Sequence, residues 1–489
     1  MDSILHLLEK VQAVVWGPPT MILLIGTGLY FTLRLKCLQV VHLPRALRYI
    51  FEKEEGEGDV SAFGSLCTAL AATIGTGSIV GVATALRVGG PGALFWMWVS
   101  AFVGMATKYA EGLLAVKYRT VDENGQIAGG PMYYIQNGMG KRWIWLAKMF
   151  AFFGIITALL GCGTFPQVNA ITESASEAFH LPVAAIGVVV TIAVAAVVLG
   201  RTKINLPCGG AGGSGYGGCL RDRVIRGLFV NASAIPQAFA VIFESAFTPH
   251  AVLGGAGGTI MISVMTAMRT GFARGIYTNE AGLGSSPIVV AAAKTKSCVR
   301  QGLISMTSVF FTTIIICTMT GIVVITSGLL ETSERGRGPA SNAAFNASLP
   351  GDIGMYMVTI GLIFFSFTTI IGWCYYGERC LVYLFNSVKY ILPYKMVYIA
   401  CIAVAPFLSL KPIWLLADIT NACMAFPNLI GLLGLSSVVI AETKAFFKEE
   451  KEKDKEKERG IAPTMIRMYR TRVLWVRYIF VATDCAIKP

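Results

Sequence analysis

The chain has 489 residues, of which 54 % are hydrophobic and 14 % charged, with a mean hydropathy of +0.63. That composition lies outside the soluble globular range and predicts a polytopic membrane protein. The net charge of +13 sits in short basic clusters between apolar runs, as the positive-inside rule requires, which argues against a nucleic-acid partner. The twelve cysteines include no CxxC pair, and Cys67, Cys162, Cys317 and Cys401 lie inside apolar runs, so they read as small buried hydrophobes. Four scattered histidines and no HExxH give a zinc site no support. The start of the chain lacks the basic residues and small-residue cleavage site of a signal peptide.

In chain order, residues 1–15 read as an amphipathic segment, and Pro18 and Pro19 open a first span over about 20–35. The basic stretch after it belongs to the cytoplasmic side, which predicts an external N-terminus. Next comes Thr68 to Ala83, TALAATIGTGSIVGVA, an apolar run broken at Gly75-Thr76-Gly77-Ser78. Backbone groups at membrane depth must find partners, so such a break asks either for an anion at the freed amides and a cation at the freed carbonyls, or for a packing seam between helices. Gly89-Gly90-Pro91-Gly92 makes a turn, and the span over about 93–117 carries Lys108 and Glu111 three residues apart, read as a structural brace able to pair within itself.

The span over about 150–178 is interrupted by GCGTFPQVNA, whose amides Gln167 and Asn169 either bond a neighbouring helix or face a cavity. Residues 182–199 form another span. KINLPCGGAGGSGYGGCLRDRVIR at 203–226 is glycine-rich and basic, too polar to span, although the parity of the topology demands a crossing there. Residues 231–250 read as an external amphipathic segment. TIMISVMTAM then gives way to Thr270-Gly271-Phe272-Ala273-Arg274-Gly275, which predicts a second interrupted helix. Two such breaks in corresponding halves point to a transporter binding site. Spans follow over about 303–327, 355–385, 397–408 and 414–440. Thr368 and Thr369 either bond back to their own helix or complete an oxygen shell around a small cation. No nucleophile with its base appears at membrane depth, so no enzyme and no catalytic residue is expected.

GTGSIVGVATAL, GGPGALFWMWVSAFVGMATKYAE, GGPMYYI, FPQVNAI, RGIYTNEAGLGSSP, FFSFTTIIGWCYYGER and LADITNACMAFPNLIGLL, in this order, resemble the alanine or glycine:cation symporter family of bacteria and archaea over about residues 15–445 apart from 203–226. The resemblance implies an all-α membrane protein of leucine-transporter type, ten helices in a five-plus-five inverted repeat with one extra N-terminal helix. It implies residues 1–59 as that N-terminal part, 60–230 and 231–445 as the two repeats, and 446–489 as a charged cytoplasmic tail. It further implies uptake of small neutral amino acids across the cell membrane, coupled to sodium or protons, with no other cofactor. Carried over, Gly75 and Gly77 offer amides to the substrate carboxylate, while Gly163, Gln167, Phe272, Thr369 and Trp373 line the pocket. Carbonyls of Ala71 and Ile74 with the hydroxyls of Thr368 and Thr369 hold sodium. Ser78 stands where the family usually has Asn.

The 203–226 segment departs from the family, which has its fifth repeat helix there. Back-translated and shifted by one base, residues 205–218 can read Ile-Ser-Arg-Val-Ala-Glu-Gln-Val-Val-Pro-Val-Met-Ala, as the family's helix entrance does. A frameshift is therefore one reading, and with it the expectation that the chain as written transports poorly. The tail from about Gly460 is either a second such artefact or an interfacial segment.

Overall fold

The structure is a computed structural model that describes residues 2–52, 56–200, 234–248, 250–253, 259–262, 264–327, 353–408, 410–453 and 455. The 203–226 segment and the tail beyond 455 lie outside the described residues. Two units emerge, Met1–Ser436 and Ser437–Pro489. In the second, the described residues are helical over 437–453.

The first unit is built from helices. A short amphipathic helix α1 (Asp2–Val15) leads, through a Pro-started turn, into α2 (Pro18–Arg34). Ser61 then caps α3 (Ala62–Thr73), its hydroxyl accepting from Gly64 N–H at 3.0 Å. The chain leaves helical geometry at Ile74 and resumes in a wider π-type stretch, Gly77–Gly81, before α4 (Val82–Gly89). The two arms of this broken span are bent by 56°. Gly90 turns the chain at φ 67°, where a side chain would be strained, into the long α5 (Gly92–Lys117).

A two-residue ribbon, β1 (Thr120–Val121) with β2 (Ile127–Ala128), precedes α6 (Ile144–Leu160). A break at 161–164 separates α6 from α7 (Phe165–Phe179), as the GCGTFPQVNA interruption predicts. Then come α8 (Val183–Leu199), α9 (Ile235–Phe247), an antiparallel hairpin of β3 (His250–Leu253) and β4 (Thr259–Ile262), and α10 (Val264–Asn279). The remaining helices are α11 (Cys298–Val309), continued through a π-type stretch into α12 (Thr318–Thr326), then α13 (Ile353–Phe385), α14 (Ile391–Val404) and α15 (Leu410–Gly434). The two ribbons are exceptions to the all-α expectation. Among the described residues six helices are long and apolar enough to cross a membrane, seven with the bent pair.

Buried α5 is the hub. It packs against α2, α9, α10 and α11, while α13 packs against α3, α6 and α7. One core cluster joins Val82, Leu86, Leu94 and Met97 to Ile242, Cys317 and Val324.

One expectation fails here. Thr270 to Gly275 lies inside the unbroken α10, and the real break follows it at 280–286, where Glu280, Gly282 and Gly284 have φ of 55°, 85° and 79°. The glycines that suggested a break are packing glycines instead. A Cβ on Gly271 would stand 2.4 Å from Ala93 O, and one on Gly275 2.1 Å from Ser100 Oγ, so both exist to seat α10 on α5. A segment past that second break is clasped by Arg119, just beyond α5, whose guanidinium donates to the carbonyls of Ala291, Ala293, Thr295 and Glu57 at 3.1, 2.8, 3.3 and 2.8 Å.

Candidate functional site

A cleft with about 270 Å³ of free space, its mouth included, is lined by Ala72, Thr73, Gly75, Gly77, Cys162, Gln167, Tyr277, Glu280, Leu283, Thr369 and Trp373. It therefore collects both chain breaks, the start of α7 and the middle of α13. The first break supplies the closest backbone approach. A Cβ on Gly75 would stand 2.7 Å from Thr369 Oγ1 and 3.0 Å from Gln167 Oε1, and one on Gly77 3.1 Å from the Tyr277 ring. Only hydrogen fits at Gly75 without displacing a polar group of the cleft.

The amides of this break are partly engaged. Gly75 N–H donates back to Thr73 O at 3.0 Å, closing a γ-turn about Ile74 (φ −79°, ψ 89°). Thr76 N–H donates to Gln167 Oε1 at 3.4 Å, and Gln167 Nε2 donates to Cys162 O at 3.2 Å. Both bonds are weak, the Thr76 one by its length and the γ-turn one by its bent geometry, so these amides keep capacity for a stronger acceptor.

On the other wall, the hydroxyls of Thr368 and Thr369 each lie 2.9 Å from Phe365 O and 3.1 and 3.2 Å from Ala71 O. Each hydroxyl has one proton. If both donate back to Phe365, three oxygens of α3 and α13 face one another with no proton between them, an arrangement a small hard cation neutralises. The bond back to their own helix is thus present for both threonines, and it does not use up the oxygens that face Ala71. The Ile74 carbonyl takes no hydrogen bond from either hydroxyl. Ser78, one residue past the first break, is fully buried, and its Oγ has no hydrogen-bond partner.

Gly163 does not line the cleft but stands behind it: a Cβ there would meet Trp373 Cβ at 2.8 Å, and its carbonyl accepts from Tyr398 Oη at 2.8 Å. It lets Trp373 seat into the wall, where the indole is 1 % exposed and edge-on to Tyr376. Phe272 is a correction. Its ring packs on Trp96, centroids 6.0 Å apart, and it lines a different, mostly apolar cleft with Leu24, Ser100 and Ile276. Five residues on, about 140° further round the helix, Tyr277 takes the wall position instead.

Sequence reasoning missed Tyr277, Cys162 and Glu280. Glu280 ends α10 in the left-handed region and is 4 % exposed, its Oε2 accepting from the Ser285 hydroxyl. Its loop is held by the charged pair on α5, which reaches across rather than pairing within itself. Lys108 Nζ donates to the carbonyls of Asn279 and Glu280 at 3.2 and 3.3 Å. Glu111 Oε1 accepts from Gly282 N–H, Gly284 N–H and Asn428 Nδ2 at 3.1, 3.2 and 2.7 Å. Tyr134 Oη closes the network by donating to Asn428 Oδ1. On the neighbouring side, Arg274 pairs with Asp418 at 3.3 Å and lies over the rings of Tyr277 and Trp414. Asp418 also anchors α1, accepting from Gln12 Nε2 through its side chain and from Trp16 Nε1 through its carbonyl.

The sequence model of the sodium:alanine symporter family matches residues 1–208 and 220–460. The unmatched 209–219 falls within the glycine-rich 203–226 segment and is narrower than it. An uncharacterized transporter of Haemophilus influenzae is 52 % identical over 450 residues, covering 92 % of this chain and 97 % of the relative. The sodium/alanine symporter AgcS of Methanococcus maripaludis is 45 % identical over 457 residues, 91 % of this chain and 98 % of its own. The probable sodium/glutamine symporter GlnT of Bacillus subtilis is 32 % identical over 459 residues, 92 % of each. Among solved structures, a manganese transporter of Eremococcus coleocola aligns over 76 % of this chain and 78 % of its own with a TM-score of 0.48 at 12 % identity, too low to inform fold or cargo. The family match and the relatives run through both breaks and the cleft between them, and the chain belongs to the sodium:alanine symporter family of multi-pass membrane transporters.

Proposed function

We propose that the chain takes up small neutral amino acids, alanine and glycine among them, in symport with sodium. The reading carries with it alternating access in a five-plus-five inverted repeat, residues 60–230 and 231–445, with an external N-terminus and a cytoplasmic C-terminus. The observation that carries it is the meeting of both chain breaks at one cleft, beside the oxygens of Ala71, Thr368 and Thr369. Broken helices at mid-membrane supply what a zwitterion and its ion need, and the resemblance to a sodium/alanine symporter supports that pairing.

Uptake of labelled alanine into proteoliposomes tests it. An imposed sodium gradient is expected to drive accumulation; uptake indifferent to sodium but following a proton gradient would overturn the ion assignment. Because the family match skips 209–219, the assay is run on the chain as written and on one carrying the frame-shifted peptide over 205–218. Equal rates would dismiss the expectation that the chain as written transports poorly or not at all.

Substrate size is the next consequence. A relative named as a probable glutamine symporter shares this family, so the wall residues must set the limit by overlap. Trp373→Ala is expected to admit leucine and valine while weakening alanine uptake by roughly 10-fold. An unchanged selectivity profile in a transporting variant would make Trp373 packing only.

A further inference from the structure

Three formal charges are buried together around the second break: Lys108, Glu111 and Glu280, each 0–4 % exposed. Their sum is one negative charge. The neighbouring Arg274–Asp418 pair is neutral and adds nothing to it. Burying an uncompensated carboxylate costs several kcal/mol, so such a group normally has a partner. Lys108 gives its hydrogen bonds to the carbonyls of Asn279 and Glu280, not to a carboxylate. One oxygen of Glu111 is filled by two backbone amides and Asn428, and its other oxygen is buried with no hydrogen-bond partner, away from the cleft lining. Glu280 differs from both, because it lines the cleft itself, alongside Gly75, Gly77, Gln167 and Trp373. Its carboxylate takes the Ser285 hydroxyl and lies beside the Trp373 indole N–H, which leaves acceptor positions open where a carboxylate has about four.

The backbone is shaped to put it there. Glu280 holds φ 55° without being glycine, a conformation that persists only where the surroundings impose it. The loop that imposes it is the one Lys108 and Glu111 clamp.

We propose that Glu280 is the counter-charge for the ammonium group of the substrate, so that the cleft selects zwitterions. This rests on the amino-acid reading above and deepens it. The substrate carboxylate then lies at the first break and Gln167, the ammonium at the second, and the two ends of the molecule are read by the two breaks. A hydroxy acid of the same size satisfies only the first, leaving the Glu280 charge without an ammonium to offset it.

Binding to the purified full chain in saturating sodium tests this, with L-alanine and L-lactate as probes, since lactate replaces the ammonium by a hydroxyl. The unaltered chain is expected to bind alanine at least roughly 100-fold tighter than lactate, and Glu280→Gln to lose roughly 30-fold in alanine affinity while lactate stays within about threefold. Thermal stabilisation by sodium without amino acid is expected to be unaltered in that variant. Lactate binding within threefold of alanine in the unaltered chain overturns the proposal even if the variant does not fold. Alanine affinity kept in Glu280→Gln also overturns it; if sodium stabilisation is lost in that case, the carboxylate serves the ion instead. Failure of the unaltered chain to bind either alanine or glycine is a separate result, one that removes the amino-acid reading itself.

Discussion

Gly75→Ala is expected to cut sodium-driven alanine uptake by roughly 10- to 100-fold while the protein remains folded in the membrane. The added methyl would stand 2.7 Å from Thr369 Oγ1 and 3.0 Å from Gln167 Oε1, well inside contact distance. Something must shift. Overpacking of this kind costs about 1–3 kcal/mol, and here the groups displaced are the ones that line the cleft and touch the Ala71 carbonyl. Gly26→Ala on α2 is the control, because a Cβ there meets nothing within 4 Å. It is expected to leave uptake unchanged. Equal uptake by both variants in proteoliposomes of matched protein content would show that the approach at Gly75 has slack and does not shape the site.

The second large effect is on stability. Glu111→Ala removes the acceptor for Gly282 N–H, Gly284 N–H and Asn428 Nδ2 and takes away one of the two acids whose charge offsets Lys108. Breaking a buried charged network by one member costs about 3–5 kcal/mol, which for a chain of this length corresponds to roughly 3–5 °C in unfolding temperature. Glu111→Gln keeps an acceptor oxygen and gives up only the charge, so a smaller drop is expected. Thermal unfolding of the detergent-solubilised protein decides the matter: a Glu111→Ala midpoint equal to that of the unaltered chain would mean that loop 280–284 is held by other contacts.

The first break was legible because Gly-Thr-Gly-Ser interrupts an apolar run at a depth where unwinding frees backbone groups that need partners, which was one of the two readings the sequence offered. The second was misplaced by about ten residues, and the reason is tertiary. Glycine inside an apolar segment either ends a helix or lets another helix approach, and composition does not separate the two. At Gly271 and Gly275 the backbone and side chains of α5 decide, through Ala93 and Ser100. The true break did carry a local signature, since Gly282, Gly284 and Pro287 crowd into six residues. Phe272 was assigned to the pocket by resemblance, and the helix turned it away. Glu280 was missed because a lone acid beside Asn279 has no periodicity or motif of its own. Its importance comes from Lys108 and Glu111, about 170 residues earlier in the chain. Those two were foreseen as a brace, but only the fold shows that what they brace is the loop bearing Glu280.

The Arg119 clasp carries one more consequence, for motion. Its guanidinium ties the carbonyl of Glu57, just ahead of the first broken helix, to those of Ala291, Ala293 and Thr295, just past the second break. Backbone bonds at the same place, Val60 beside Ala293 and Lys294 N–H to Val60 O at 2.6 Å, run in parallel with it. At this end the two broken segments therefore share one joint. A displacement of either segment is resisted at this end by the other, through the bonds that join them. Lysine has three donors on a point charge and cannot span four carbonyls in a plane. The fork of a single arginine thus joins two chain segments that lie more than 230 residues apart in sequence.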